Sequence, residues 1–196
     1  MKKIITLTGC MGSGKDTILN EVIKRKKIIN IISTTSRSMR KGEVNGREYN
    51  FVTTEKALNM LTEGEFLEHR SYTVANGDTW IYGIEKNSIN FNDDKIYIVI
   101  VDFRGLQQMK NYLKLLDQDK VTSFYIHTSE RERLKRALSR EGKMNKEQKK
   151  EVYRRNEDDK IMVEPAKEYC DYLLVNEKKE DLNNCVNKII SVIEKL

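Results

Sequence analysis

The 196-residue chain reads as a single α/β domain, a parallel sheet flanked by helices and interrupted by an antiparallel insert. Three observations predict this. The apolar run Ile4 to Thr8 passes through a glycine-rich turn into a helix with periodic apolar positions. Lys95 to Asp102 is a continuous β-branched and aromatic run, the pattern of a strand buried on both faces. The alternation of strand and helix breaks only over residues 34–83, where tight-turn signals such as Asn45-Gly46 take over.

Taken in order, residues 15–27 place Ile18, Leu19, Val22 and Ile23 on one face of a helix. Ile29 to Ser33 is expected to be a second buried strand, followed by the basic, turn-rich stretch Ser36 to Arg47. Glu48 to Thr53 reads as a strand, and Glu55 to Glu63 as a short helix ended by Gly64. Phe66 to Val74 alternates as a half-exposed strand, and a polar loop, Ala75 to Thr79, leads to Trp80-Ile81-Tyr82-Gly83. After the 95–102 strand come a helix over 105–117, a strand over 121–126, and a long charged helical region from 129 to 168. Pro165 is expected to kink or end that region. A short strand, Tyr172 to Val175, and an amphipathic helix over 179–195 close the chain.

Composition narrows the class of function. A net charge of +6 with charges of both signs interspersed suggests an anionic partner. No Lys/Arg block of the kind that forms a nucleic-acid tail is present, so mononucleotides are the expected anions and nucleic acid is not expected. Met1-Lys2-Lys3 precedes an apolar run too short for a signal peptide, and no run approaches membrane length. Cys10, Cys170 and Cys185 lack metal-site spacing and suit a reduced cytoplasmic protein. Cys10 reads as a small filler in its loop, and His69 and His127 as ordinary strand residues. The expected state is a monomer or a homodimer.

The stretch Gly9-Cys10-Met11-Gly12-Ser13-Gly14-Lys15 has the spacing G-x4-G-K between a strand and a helix, the context a phosphate-binding P-loop requires. It predicts a P-loop NTPase-type core. Its glycines let the backbone N–H groups close around an anion, and the helix that follows adds unpaired N–H groups and a positive dipole end. Lys15 can reach the terminal phosphates of a nucleotide. The expected ATP-binding set is Gly9, Gly12, Ser13, Gly14, Lys15, Asp16 and Thr17. The slot after the lysine, a Ser or Thr that binds Mg²⁺ in the usual motif, holds Asp16, with Thr17 next.

The stretch Ser33-Thr34-Thr35-Ser36-Arg37-Ser38-Met39-Arg40-Lys41-Gly42-Glu43-Val44-Asn45-Gly46-Arg47-Glu48-Tyr49-Asn50-Phe51-Val52 closely resembles the nucleotide-binding signature of guanylate kinases. Met39 and Ser36 depart from its proline and second threonine. The resemblance continues through Gly64-Glu65-Phe66-Leu67-Glu68, Tyr82-Gly83, Asp102 with Gly105, and Asp171 to Asn176, nearly the whole chain. It implies a core of 1–33, 84–128 and 160–196, a monophosphate-binding insert over 34–83 and a helical lid over 129–159. It also implies transfer of the γ-phosphoryl of Mg²⁺-ATP to GMP or dGMP, with Ser33, Arg37, Arg40, Glu43, Tyr49, Glu68, Tyr82 and Asp102 on the acceptor. Lys15, Arg136, Arg140 and Arg155 (or Arg154) fall on the catalytic positions. Mg²⁺ is expected to bridge the ATP phosphates with no direct protein ligand, Asp102 or Asp16 reaching it through water.

The chemistry of these residues stands beside the resemblance. Arg37 and Arg40 offer planar forks to a phosphate. Arg136 and Arg140, four apart, share one helix face. A carboxylate such as Glu68 can accept from guanine's N1–H and amine together. Arg131, Arg133 and Lys135 read as solvated charges paired with neighbouring glutamates. Two departures bear on the acceptor. Ile84 stands where the family has a base-reading Ser or Thr, leaving Ser71, Thr73 or Thr79 to supply that contact, and the 69–81 segment is longer than usual. Arg104 also stands where the family has Gln. Another nucleoside monophosphate or a ribose bisphosphate is therefore an alternative acceptor, and a non-catalytic binding domain of the same fold a second alternative.

Overall fold

The computed structural model describes residues 3–40, 42–73, 77–116, 121–139 and 144–196. Its elements are β1 (Lys3–Thr8), α1 (Lys15–Arg25), β2 (Ile29–Asn30), β3 (Thr34–Thr35), β4 (Asn50–Phe51), α2 (Thr54–Thr62), β5 (Phe66–Thr73) and β6 (Thr79–Glu85). There follow β7 (Ile96–Ile100), α3 (Phe103–Leu115), β8 (Val121–His127), α4 (Glu130–Ser139), α5 (Lys146–Met162), α6 (Ala166–Tyr169), β9 (Tyr172–Val175) and α7 (Asp181–Ile193).

Five strands form an all-parallel sheet in the order β2-β7-β1-β8-β9. Alternation along the strands sends side chains to two apolar layers. Ile5 and Leu7 of β1, Ile98 of β7, and Phe124 and Ile126 of β8 pack with Ile18 and Val22 of α1 and Val186 and Ile189 of α7. On the opposite face Ile4, Tyr97 and Val99 pack with Leu106, Met109 and Leu113 of α3. Helices thus cover both faces, as a buried parallel sheet requires. The loops after β1 and β7 leave the carboxyl ends of adjacent strands, where open α/β sheets place ligands.

The second sheet runs β4-β3-β6-β5. The hairpin β5–β6 and the β3–β6 pair are antiparallel, but β3 and β4 pair parallel, so the expected antiparallel insert is in fact mixed. Leu67 and Ile84 of this sheet join the α3 layer, which makes its base continuous with the core. Gln108 of α3 completes the docking by exchanging two 3.0 Å hydrogen bonds with the backbone of His69.

Several expected elements are shorter than their apolar patterns. The strand expected over Ile29–Ser33 ends at Asn30, although the Ile31 amide still donates to Ile98 O. The chain then crosses to the second sheet, which begins at Thr34. The strand expected from Glu48 to Thr53 is only Asn50–Phe51, because Glu48 instead accepts from the Val44 amide and Arg47. The charged helical region divides into α4, α5 and α6. Asn145 and Gln148 form a reciprocal capping box that starts α5. Pro165 adjoins the start of α6, where its missing N–H costs no helical bond.

Candidate active site

The loop after β1 is shaped by backbone geometry and by neighbours distant in sequence. Gly12 and Gly14 have φ of 78° and 86°. A Cβ at Gly12 would lie 2.5 Å from Arg133 O, and one at Gly14 2.4 Å from Asn176 Nδ2, so both positions exclude side chains for two reasons at once. Asn176 Nδ2 donates to Ser13 O at 2.7 Å, and Thr128 Oγ1 donates to the same oxygen at 3.3 Å. The Met11 amide donates to Asp159 Oδ2 at 2.5 Å. Lys15 Nζ lies 3.5 Å from Cys10 O, folded across the loop at the start of α1. Gly9 and Ser13 are buried, whereas Asp16 and Thr17 are exposed on the first turn of α1. Cys10 is buried against the Tyr125 hydroxyl, and burial pushes its thiol up, consistent with a filler.

The arginines expected in a lid separate into distinct roles. Arg136 donates to Asn176 O at 3.0 Å, to Glu177 O at 2.8 Å and to Glu132 at 3.1 Å, which holds it beside the loop at Gly14. Arg140 lies outside the described residues. Arg154 is taken up by Glu151 and Asp158 on the exposed face of α5. Arg155 instead projects its charge toward Arg40 and lowers that guanidinium's pKa, after burial and Arg37. Arg133 was expected to be a solvated charge and is not. It is 2% exposed and donates to Thr128 O and Asn156 Oδ1, with Glu164 3.4 Å away. The signal was its place on the same helix face as Ala137, also buried.

Across from the loop, the insert presents a second cationic group. Arg37 is 4% exposed and forms a two-pronged bond with Glu43 at 2.8 and 3.1 Å. Glu43 also accepts from the Arg40 amide at 2.7 Å. Although burial acts the other way, these contacts hold the Glu43 carboxyl below its ordinary range. The Arg37 guanidinium sits 5.5 Å from the ring centres of both Tyr49 and Phe51. Tyr49 meets Tyr82 edge-on at 5.7 Å, and Tyr82 meets Tyr72 at the same distance. Burial, then Tyr82, raises the Tyr49 hydroxyl's pKa, with Asp16 contributing from the far side of the site. Ser33 is buried, and its carbonyl accepts from Asn50 N.

At the other end of this aromatic row lies a cluster that the sequence reading only half anticipated. Glu68, expected on a half-exposed strand, is 1% exposed because α3 closes over the start of β5. Arg70, two residues on and therefore on the same strand face, lies 3.4 Å from Glu68 and 3.2 Å from Asp102. Asp102 caps α3 by accepting from the Gly105 amide at 2.8 Å and also takes the Tyr72 hydroxyl. Burial opposes its charge, but Arg70, the Gly105 amide and Tyr72 together keep its pKa below the ordinary range. Burial raises that of Glu68, with Arg70 opposing and Asp102 adding to the rise. A Cβ at Gly105 would fall 2.7 Å from Glu68 Oε2 and 3.0 Å from Arg70 Nη1. Sequence reasoning missed Arg70, Tyr72 and Gly105 as a unit, although opposite charges at i and i+2 of a strand were a usable signal. Ile84 is fully buried in the apolar layer against α3.

The molecule therefore holds an anion-binding loop, an arginine-rich helical arm and a second cationic site leading to a buried carboxylate. Among the described residues no helix is long and apolar enough to cross a membrane. The crystal structure of guanylate kinase from Anaplasma phagocytophilum matches this fold with a TM-score of 0.67 at 21% identity, over 99% of this chain and 85% of that one. Guanylate kinase of Blochmanniella floridana is 33% identical over 202 residues, covering 98% of this chain and 88% of that protein. Guanylate kinase of Anaplasma phagocytophilum strain HZ is 27% identical, over 95% and 85% respectively. The family model described as guanylate kinase matches residues 1–196, and this chain belongs to the guanylate kinase family.

Proposed function

We infer that this chain transfers the γ-phosphoryl group of ATP to GMP, and to dGMP, giving ADP and the corresponding diphosphate. The observation that supports the reading is the presence of two separate anion-suited groups, the glycine loop with Lys15 and the Arg37–Arg40 pair of the insert, with Asp16 of the first acting electrostatically on Tyr49 of the second. The aromatic row Tyr49–Tyr82–Tyr72 starts at the Arg37 guanidinium and ends at the cluster that holds the buried Glu68 carboxylate. In this reading the loop amides of Gly9 to Thr17 hold the ATP phosphates, and Lys15 follows the moving phosphoryl. Arg37 and Arg40, with Tyr49, Tyr82 and Ser33, hold the acceptor phosphate, and Glu43 sets the angle of Arg37. Glu68 accepts the base's donor pair, with Asp102 behind it.

Phosphoryl transfer asks the protein for alignment and for cancellation of charge, since the acceptor phosphate is already ionised near neutral pH. Arg136, Arg140 and Arg155 supply that charge as a lid over 129–159 closes on the core and on the 34–83 insert. When bound with ATP, Mg²⁺ would supply neutralisation of the phosphate charge. Asp16, exposed at the first turn of α1, suits a water-mediated contact to that ion. Asp102 suits it less, because its two oxygens already accept from Gly105, Arg70 and Tyr72. The reading assigns Mg²⁺-ATP and GMP as the ligands, with no nucleic acid or membrane partner. It places the chain in the cytoplasm as a monomer or homodimer.

A coupled assay of ADP release with GMP, dGMP, AMP, UMP, dTMP and a ribose bisphosphate in turn tests the reading. GMP and dGMP should give the highest kcat/KM. A higher value for any other acceptor would replace the assignment, and no ADP release with any acceptor would end it.

A further inference from the structure

The cluster at the end of the aromatic row holds polar capacity that the protein leaves unused. Both Glu68 oxygens and Arg70 Nε are buried without a hydrogen-bond partner among the described residues. The Glu68–Arg70 approach of 3.4 Å is an ion pair, not a hydrogen bond. Buried unsatisfied groups of this kind are costly, and three together indicate a ligand that completes them. Two adjacent acceptor oxygens call for a pair of donors, and an idle guanidinium N–H calls for an acceptor beside that pair.

The hydroxyls expected to supply a donor here are excluded by geometry. Ile84, directly opposite Glu68 in the hairpin, has an apolar and fully buried side chain, and only its backbone N–H acts on Glu68. Ser71 and Thr73 alternate to the opposite face of β5 from Glu68 and Arg70, and Thr79 pairs with Thr73 and so shares that wrong face. The three hydroxyls considered as base readers from the sequence are therefore turned away from Glu68. The Tyr72 hydroxyl and the Gly105 amide are both consumed by Asp102. Arg70 carries five N–H groups, of which the two carboxylates engage only part.

We propose that Arg70 is a specificity-determining residue that donates to the exocyclic oxygen of the acceptor's base while Glu68 accepts from the two donors beside it. The inference rests on the GMP assignment and extends it. Guanine offers this order along one edge: an amine, an N–H and a carbonyl oxygen. Asp102 holds Arg70 from behind, so one carboxylate reads and the other positions. The glycine at 105 is what admits the Glu68 and Arg70 termini to the same small volume.

The test compares wild type, Arg70→Met and Arg70→Lys at saturating Mg²⁺-ATP with three acceptors: GMP, IMP and 6-thio-GMP. IMP keeps the oxygen and loses the amine, whereas 6-thio-GMP keeps both donors and replaces the oxygen with sulfur, a poor acceptor. Arg70→Met should lower kcat/KM for GMP and IMP by about 10- to 100-fold, the range for a hydrogen bond to a charged group. It should lower that for 6-thio-GMP by no more than about 3-fold, since that contact is already weak in the wild type. Arg70→Lys should show a smaller loss with the same order of acceptors, and it carries the comparison alone if the methionine variant does not fold. Equal losses for all three acceptors in the folded variants would overturn the proposal and leave Arg70 as a charge neutraliser. Wild type that fails to phosphorylate GMP would overturn the activity itself, a separate and visible result.

Discussion

The two ends of the site are built on opposite physical plans. At the loop of Gly9 to Lys15, the groups assigned to the ligand are backbone amides, and side chains distant in sequence hold that backbone: Asn176 and Thr128 donate to Ser13 O, and Asp159 accepts from the Met11 amide. At the far end, the ligand-facing groups are charged side chains buried together, Glu68 with Arg70 and Asp102. A backbone cradle needs positive-φ glycines at a fixed spacing, which local sequence supplies, and it tolerates any anion of the right shape. A buried charge cluster is specified by contacts between β5 and the β7–α3 junction, and it discriminates, because its polar groups are left unpaired with the wrong ligand. In the proposed reading the donor end supplies rate and the acceptor end supplies choice.

That contrast can be broken by experiment. Lys15→Ala should have the largest effect, lowering kcat by about a thousandfold or more while the thermal midpoint stays near wild type, as expected for lost charge stabilisation in phosphoryl transfer. Near-normal turnover would remove the loop from the reaction. Arg37→Ala should act on the other substrate, raising the KM for GMP by about 10- to 100-fold and that for ATP little. A larger rise for ATP would place the acceptor phosphate elsewhere.

A pH profile sharpens the comparison further. Glu68 accepts two hydrogen bonds only when ionised, and burial raises its pKa in the folded protein. As pH falls, kcat/KM for GMP should therefore begin to drop above the ordinary glutamate range near 4.3. The same limb should vanish in Glu68→Gln, which would also discriminate less between GMP and AMP. An unchanged limb in that variant assigns it to another group. The smallest effect is expected at Arg154, whose partners Glu151 and Asp158 are roughly half exposed. Arg154→Ala should cost less than about 1 kcal/mol in denaturant titration and leave kcat unaltered. Arg155→Ala should lower kcat; the reverse pattern would exchange the two residues.

Legibility followed the range of the contacts. Helix α1, strand β7 and the turn at Asn45-Gly46 were readable because period, β-branching and turn chemistry act within a few residues. The Arg37–Glu43 fork closes over six residues and lay within the motif. Arg133 was misread because its charge suggested solvent, whereas α5 and Glu164 close over it from 23 and 31 residues away. The charge at Asp102 was noticed, but its work as the cap of α3 and as the anchor of Arg70 was not.

By itself, the sequence determined a phosphate-binding loop between a buried strand and a helix, and a second cationic motif downstream, since both depend on backbone freedom and short-range order. The tertiary structure alone decided which polar groups are buried together at the acceptor end, the basis of the proposed base reading. Only packing of β5 against α3 buries Glu68 and brings Arg70 between two carboxylates. The loop after β1 identifies a site for phosphate; the long-range burial of three charged side chains turns that site into one end of a selective nucleotide kinase.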